Sequence, residues 1–352
     1  MRLLVLGGTE FLSYAVADDA ARRGHEVVCA ARGVSGTVPA GARLVRVDRE
    51  VGVEPLAGER FDAVVDVARM SYRWVRDALA AVRADHWTFV STINVYKDTA
   101  VPGPELLEPI TEETSDNSPE VYGGVKVASE NAVLDALGDR ALIVRPGLIT
   151  GARDVHDRFG YWANRLSRGG RVVVPDVPAQ PIQQIDVLDL AGWIVDSAER
   201  RTTGIFDAVG PVLQLGALLG EIAEAVAPEV RSDSVGPEVP SDSVGPEVPS
   251  DSVGPEGTAL VGIAPEHLVE AGVAHWAGPK SLPLWAPDTH QGFVSRDGSA
   301  IVAAGLRTRP VAETARVALD TERGLGVDRE RKAGLTAEEE AELLATLPHR
   351  IW

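Results

Sequence analysis

The sequence predicts an α/β chain of Rossmann type, a doubly wound parallel sheet followed by a smaller C-terminal substrate lobe. Three observations predict it. Short apolar runs alternate with amphipathic stretches through the first half of the chain, the pattern of parallel strands covered by helices on both faces. The first run ends in Gly7-Gly8-Thr9, directly before a helical pattern. Much later, Tyr122-Gly-Gly-Val-Lys126 opens another helix and sets a phenol one turn from an ammonium.

The elements follow in order. Leu3–Leu6 is a strand and Phe11–Arg23 a helix. Glu26–Ala31 and Ala42–Val47 are the second and third strands. Phe61–Val67 is the fourth strand, followed by helix Tyr72–Val82. Trp87–Ser91 is the fifth strand, and Lys97–Pro119 reads as a loop rich in Pro, Glu and Thr. Helix Tyr122–Leu137 and strand Ala141–Arg145 complete the regular series. Beyond Gly151 the pattern loosens. Gly160–Gly170 reads as a short helix and Val187–Arg200 as an amphipathic one. Gly204–Val209 is a strand and Leu215–Val226 a helix. Glu338–Thr346 is a helix capped by Thr336. The expected division is a dinucleotide-binding domain over 1–152, to which 183–211 returns, and a lobe over 153–182 and 212–352.

With 352 residues, 45% of them apolar, the chain can bury a large core. No apolar run reaches the ~20 residues needed to span a bilayer. The N-terminal run is too short for a signal peptide, so a cytoplasmic protein that does not engage a membrane is expected. The net charge of −18 repels phosphate backbones and argues against nucleic acid as a partner. The single cysteine, Cys29, excludes an intramolecular disulfide and reads as a packed core thiol. The seven histidines show no helical ligand pair, and no metal is expected. A monomer or homodimer acting on a small molecule is the expectation that remains.

Between 228 and 257 the motif Ser-Asp-Ser-Val-Gly-Pro-Glu-Val-Pro repeats at 232–240 and 241–249, with a shortened copy at 250–256. Valine is its only apolar residue, and Pro and Gly recur in every copy. It cannot bury enough surface to offset the entropy of ordering, and an acidic disordered loop is expected.

Gly7 stands where a strand hands a pyrophosphate to a helix N-terminus. The three-glycine spacing usual there falls on Gly7, Glu10 and Ser13, so only the first glycine is kept. Thr9, Glu10, Phe11 and Leu12 complete the candidate phosphate contacts. An acidic residue at the end of the second strand would bind the ribose hydroxyls of NAD. Here Ala30-Ala31-Arg32 stands instead, so NADP(H) is favoured, with NAD(H) the other possibility. Asp48, closing the third strand, is placed to accept from the adenine amino group. Ala68, just past the fourth strand, is a further cofactor contact.

A free tyrosine with pKa ~10 is a poor acid–base catalyst at neutral pH. An ammonium one turn away favours the phenolate, so Lys126 would tune Tyr122 and hold the nicotinamide ribose. Ser91 and Thr92 end the neighbouring strand, where a third donor should steady the substrate oxygen. The alternative is that they cap backbone.

These motifs resemble the extended, more narrowly atypical, short-chain dehydrogenase/reductases of the NAD(P)-dependent epimerase/dehydratase superfamily. The resemblance rests on Leu6-Gly-Gly-Thr-Glu-Phe-Leu12, Gly24-His-Glu-Val27 and Phe89-Val-Ser-Thr-Ile-Asn94-Val-Tyr96. Tyr122-Gly-x-x-Lys126, Val144-Arg-Pro-Gly147 and Ile185-Asp-Val-x-Asp189-Leu-Ala191 complete it. It implies Thr92, Tyr122 and Lys126 as catalytic residues. Pro146, Gly147 and Leu148 would lie along the nicotinamide, and Asn94 and Tyr96 near the substrate. The C-terminal Gly305-Leu-Arg-x-Arg309-Pro310 is similar to the closing segment of bacterial isoflavone-reductase-like members. Sugar-nucleotide members usually carry an arginine where this chain has Ile182, which argues against such a substrate. Trp162 and Trp285 are candidate walls of an apolar pocket, or lobe core.

The leading expectation is an NADP(H)-dependent reductase or dehydrogenase of a small carbonyl compound or imine. The alternatives are an epimerase or dehydratase that retains its coenzyme, and a non-catalytic nucleotide sensor or scaffold.

Overall fold

Apolar runs, several of them bounded by glycines, build one seven-stranded sheet in the computed structural model, which describes residues 1–114, 116, 118–227 and 257–352. Its strands are β1 (Arg2–Leu6), β2 (Glu26–Ala31), β3 (Ala42–Arg46), β4 (Arg60–Asp66), β5 (Arg83–Val90), β6 (Ala141–Pro146) and β7 (Gly204–Ala208). They lie in the order β7-β6-β5-β4-β1-β2-β3, and every pair is parallel. The chain starts in the middle, runs to one edge, then returns to build the other half. The order reverses between β1 and β4, so the crevice where open α/β sheets bind ligands lies at their C-terminal ends.

Four helices cover this sheet: α1 (Phe11–Arg22), α2 (Tyr72–Ala81), α3 (Pro119–Leu137) and α4 (Val187–Arg200). Side chains alternate across a strand, and both sets are buried here. Leu3 and Val5 pack with Val16 of α1 and Ile194 of α4. Leu4 and Leu6 pack on the opposite face with Val75 of α2 and Val133 of α3. This is the doubly wound arrangement that the sequence predicts.

The described residues divide into two compact units. The first comprises Met1–Val155, Pro181–Leu213 and Ala286–Pro310. The segment Ala286–Pro310 differs from the expected division, which placed it in the lobe. Its Leu306 is buried in the first core, and Arg309 grips Asp189 of α4 through Nη2 at 2.7 Å and its backbone N at 2.7 Å.

The second unit comprises His156–Gln180, Gln214–Trp285 and Val311–Trp352. Its sheet pairs Gly170–Pro175 in parallel with Thr258–Ile263, which pairs antiparallel with His349–Ile351. Helices Arg158–Leu166, Leu215–Val226 and Val311–Leu325 pack together beside it. The helix expected over Gly160–Gly170 stops at Leu166, because Gly169 and Gly170 turn into the left-handed region, at φ 67° and 73°. Helix Ala337–Thr346 carries the Thr336 cap as a full capping box with Glu339. The repeat, and the rest of the segment 228–257 apart from Gly257, lies outside the described residues. Among the described residues, no helix is long and apolar enough to cross a membrane.

Candidate active site

The first βα turn is built by two glycines that no other residue could replace. Gly7 and Gly8 have φ 134° and 102°. A Cβ on Gly8 would overlap the Cys29 sulfur on β2. Cys29 is fully buried, and burial pushes its thiol up to about 12, so it packs and does not react. Ser13, in the place of the third glycine, is buried beside Gly7 and donates through Oγ to the Glu10 carbonyl at 2.7 Å. Glu10 itself is exposed and makes no cap for α1. The carboxylate that departs from the usual loop therefore faces solvent. The helix N-terminus keeps its amides uncapped by that side chain, with Thr9, Phe11 and Leu12 around it.

At the end of β2, Ala31 is half-buried and Arg32 exposed. The Arg32 side chain makes no hydrogen bond or ion pair among the described residues, while its carbonyl accepts from Arg46 Nη1 at 3.4 Å. Asp48 is exposed and accepts from the Glu50 backbone at 3.1 Å. Its neighbour Arg49, unremarked in the sequence, is buried and pairs with Asp66 at the tip of β4, at 2.7 and 3.1 Å. Asp66 in turn accepts from the Ala68 backbone N–H at 2.9 Å, which fixes the start of the β4–α2 loop.

Lys126 is 3% exposed and reaches from α3 to the C-terminal ends of β4 and β5. Its Nζ donates to the carbonyls of Ala68 at 2.6 Å and Val90 at 2.7 Å. Burial drives its pKa down to about 7, against the pull of Asp66 and Glu130 in the other direction. Nζ stands 5.8 Å from the centre of the Tyr122 ring, which is half-buried. The charge invoked to acidify Tyr122 is therefore itself near balance at neutral pH.

Gly123 and Gly124 explain how this helix comes so close to the end of β5. A Cβ on Gly123 would overlap the Asn94 carbonyl, and one on Gly124 the Glu108 carbonyl. The missing side chains let the first turn of α3 press on the single turn Ile93–Val95. Thr92 begins that turn. Its Oγ1 accepts from the Asn94 N–H and donates to Asn94 Oδ1, both at 3.2 Å. The capping alternative therefore holds for Thr92 in this state.

Ser91, expected at the cofactor, turns instead to Glu130, to which its hydroxyl donates. Glu130 is 1% exposed and forms a two-pronged pair with Arg145, at 2.6 and 3.0 Å. Arg145 donates to the Tyr96 hydroxyl at 2.9 Å, which donates to Asp207 at 2.7 Å, and Asp207 accepts from Arg296 at 2.6 Å. Tyr96, expected near the substrate, thus has its oxygen engaged on both sides and its ring covered by the Arg296 guanidinium at 3.4 Å. Sequence spacing gave no signal for this chain of charges. Pro146 and Leu148 are buried and Gly147 half-buried at the end of β6, where the Gly147 N–H donates to the Ala208 carbonyl at 3.2 Å.

In the second unit, Trp162 is fully buried and donates from its indole to the Pro283 carbonyl at 2.7 Å. Trp285 is also buried, its ring 3.7 Å from that of His275. Both are core side chains rather than exposed walls. Among the described residues, no group of acidic, histidine or cysteine side chains is placed to hold a metal ion.

No protein-family model matches the sequence, and none of the curated proteins is similar to it. Solved structures are similar in fold. The Bordetella bronchiseptica enzyme WbmH, solved with NAD+, has a TM-score of 0.57 at 16% identity over 92% of this chain and 98% of that one. The UDP-glucose 4-epimerase of Thermus thermophilus, solved with NAD, scores 0.54 at 17% identity, covering 93% and 100%. TunA, an NAD-dependent NDP-hexosamine 5,6-dehydratase of tunicamycin biosynthesis, scores 0.59 at 15%, covering 93% and 99%. The likeness in fold agrees with the resemblance carried by the motifs. With its strand order, its glycine turn and its Tyr-Lys helix, the chain has the Rossmann-type fold of NAD-dependent epimerases and dehydratases.

Proposed function

We propose that the chain is an NADP(H)-dependent oxidoreductase acting on a carbonyl or imine carbon of a small substrate. The observation that carries this reading is Lys126, buried at the C-terminal ends of β4 and β5 with Tyr122 one helical turn away. The glycine turn, with its uncapped helix end, fits a pyrophosphate. The bound nicotinamide supplies or accepts the hydride. Tyr122 exchanges the proton at the substrate oxygen, and Thr92 orients that oxygen once its hydroxyl leaves Asn94 Oδ1. Lys126, already aimed at the Ala68 and Val90 carbonyls, holds the ribose side and biases the protonation of Tyr122. Arg32, exposed and with no side-chain hydrogen bond or ion pair among the described residues, stands at the place of the missing carboxylate and takes the 2′-phosphate, with Arg46 beside it.

A second reading draws equal support from the names of the similar structures: an epimerase or dehydratase in which the coenzyme is reduced and reoxidised within one turnover. Against a nucleotide-sugar substrate stands Ile182, fully buried and apolar. Titration with NADPH and NADH, followed by nicotinamide fluorescence and melting temperature, separates the readings. NADPH-selective stabilisation, reduced by Arg32→Ala about tenfold more for NADPH than for NADH, is the expected result. Coenzyme that stays bound through purification favours the second reading. No response to either coenzyme refutes both.

A further inference from the structure

The phosphate loop of this chain lacks two of the three usual glycines and carries a carboxylate in place of one. A cation near the α1 N-terminus would offset that, and the structure supplies one from a distant part of the chain. Arg153 lies in the turn after β6, and its guanidinium stacks over the Tyr14 ring at 3.8 Å. Tyr14 belongs to the first turn and a half of α1. Helical side chains lean toward the N-terminus, so this ring tilts toward the end of α1 where the pyrophosphate would sit.

The turn carrying Arg153 is fixed in place. Ala152 and Phe11 pack against the same core cluster, and a Cβ on Gly151 would press on the Asp186 carboxylate that caps α4. Arg153 itself holds φ 63°, a left-handed conformation that costs a non-glycine residue about 1 kcal/mol or more. Arg153 is exposed, and beyond the Tyr14 ring its guanidinium makes no hydrogen bond or ion pair among the described residues. Stacking leaves the edge N–H donors of the guanidinium open, and its planar fork suits phosphate oxygens.

We infer that Arg153 is a coenzyme-binding residue, held by Tyr14 to donate to the pyrophosphate at the α1 N-terminus. The inference rests on the dinucleotide reading of the site. Binding of NADPH, ADP-ribose and adenosine 2′-monophosphate to the full chain and to Arg153→Met tests it. The variant should raise the Kd of NADPH and of ADP-ribose about tenfold or more, and leave adenosine 2′-monophosphate, which has no pyrophosphate, within about twofold. Its NADPH affinity should also fall less steeply with salt than that of the parent. Arg153→Gly, which suits the left-handed backbone, repeats the test without any strain from the new side chain. Should the parent bind NADPH and ADP-ribose while both variants bind them equally well, the role of Arg153 is overturned alone. A parent that binds no dinucleotide overturns the coenzyme reading and this inference together.

Discussion

Two carbonyls, of Ala68 and Val90, hold the Lys126 amine in a space that admits no water-exposed charge. The folded value near 7 lies below that of an unfolded lysine, 10.5, so the unfolded chain binds more protons between those limits. This residue therefore adds to stability as pH rises through that window and adds nothing further above it. Lys126→Met lacks the contribution. The melting temperature of the variant relative to the parent should decline steadily from about pH 7 to pH 10, and a difference that stays flat would contradict the burial argument. Turnover should fall in the same variant, because the group beside Tyr122 is gone. The Tyr-x-x-x-Lys spacing made this pair legible in the sequence. The two carbonyl partners were not legible, since a backbone acceptor leaves no residue type to read.

At the scale of elements, the first βα turn shows how much a short motif can encode. Gly8→Ala forces a Cβ into Cys29 and a strained backbone onto alanine, and should cost about 2–3 kcal/mol, read as a lowered denaturation midpoint. The parallel strands were legible because each is a short apolar run, most of them closed by a glycine, proline or charged residue and β5 by Ser91 and Thr92. The strand Gly170–Pro175 was hidden by the helical pattern before it, which continues in spacing up to the two glycines that end it. Helix Val311–Leu325 was hidden by its mixed surface: the charges of Glu322 that look solvated in sequence are buried against Arg329 and Arg331, at 2.8 and 2.6 Å. Tyr96 misled for the opposite reason. A polar tip just past the end of β5 looks available until Arg145 and Asp207 are found on either side of it.

At the scale of the whole chain, the buried relay from Glu130 through Arg145, Tyr96 and Asp207 to Arg296 joins α3, β6, β7 and the late segment Ala286–Pro310. Removing one member strands a buried charge. Arg145→Leu should lower stability by about 3–5 kcal/mol in a denaturant titration, and Glu130→Leu in the same chain should recover much of that loss. If the double variant is no better than the single one, the pair is not what Arg145 contributes. The same relay also bears on synthesis. The two units trade the chain back and forth, and the arginines that neutralise Asp207 and Asp189 come from positions 296 and 309. A nascent polypeptide released by the ribosome only as far as β7 holds every strand of the large sheet yet neither of those counter-charges. Translation must therefore run past Pro310 before every segment of the first unit has been made.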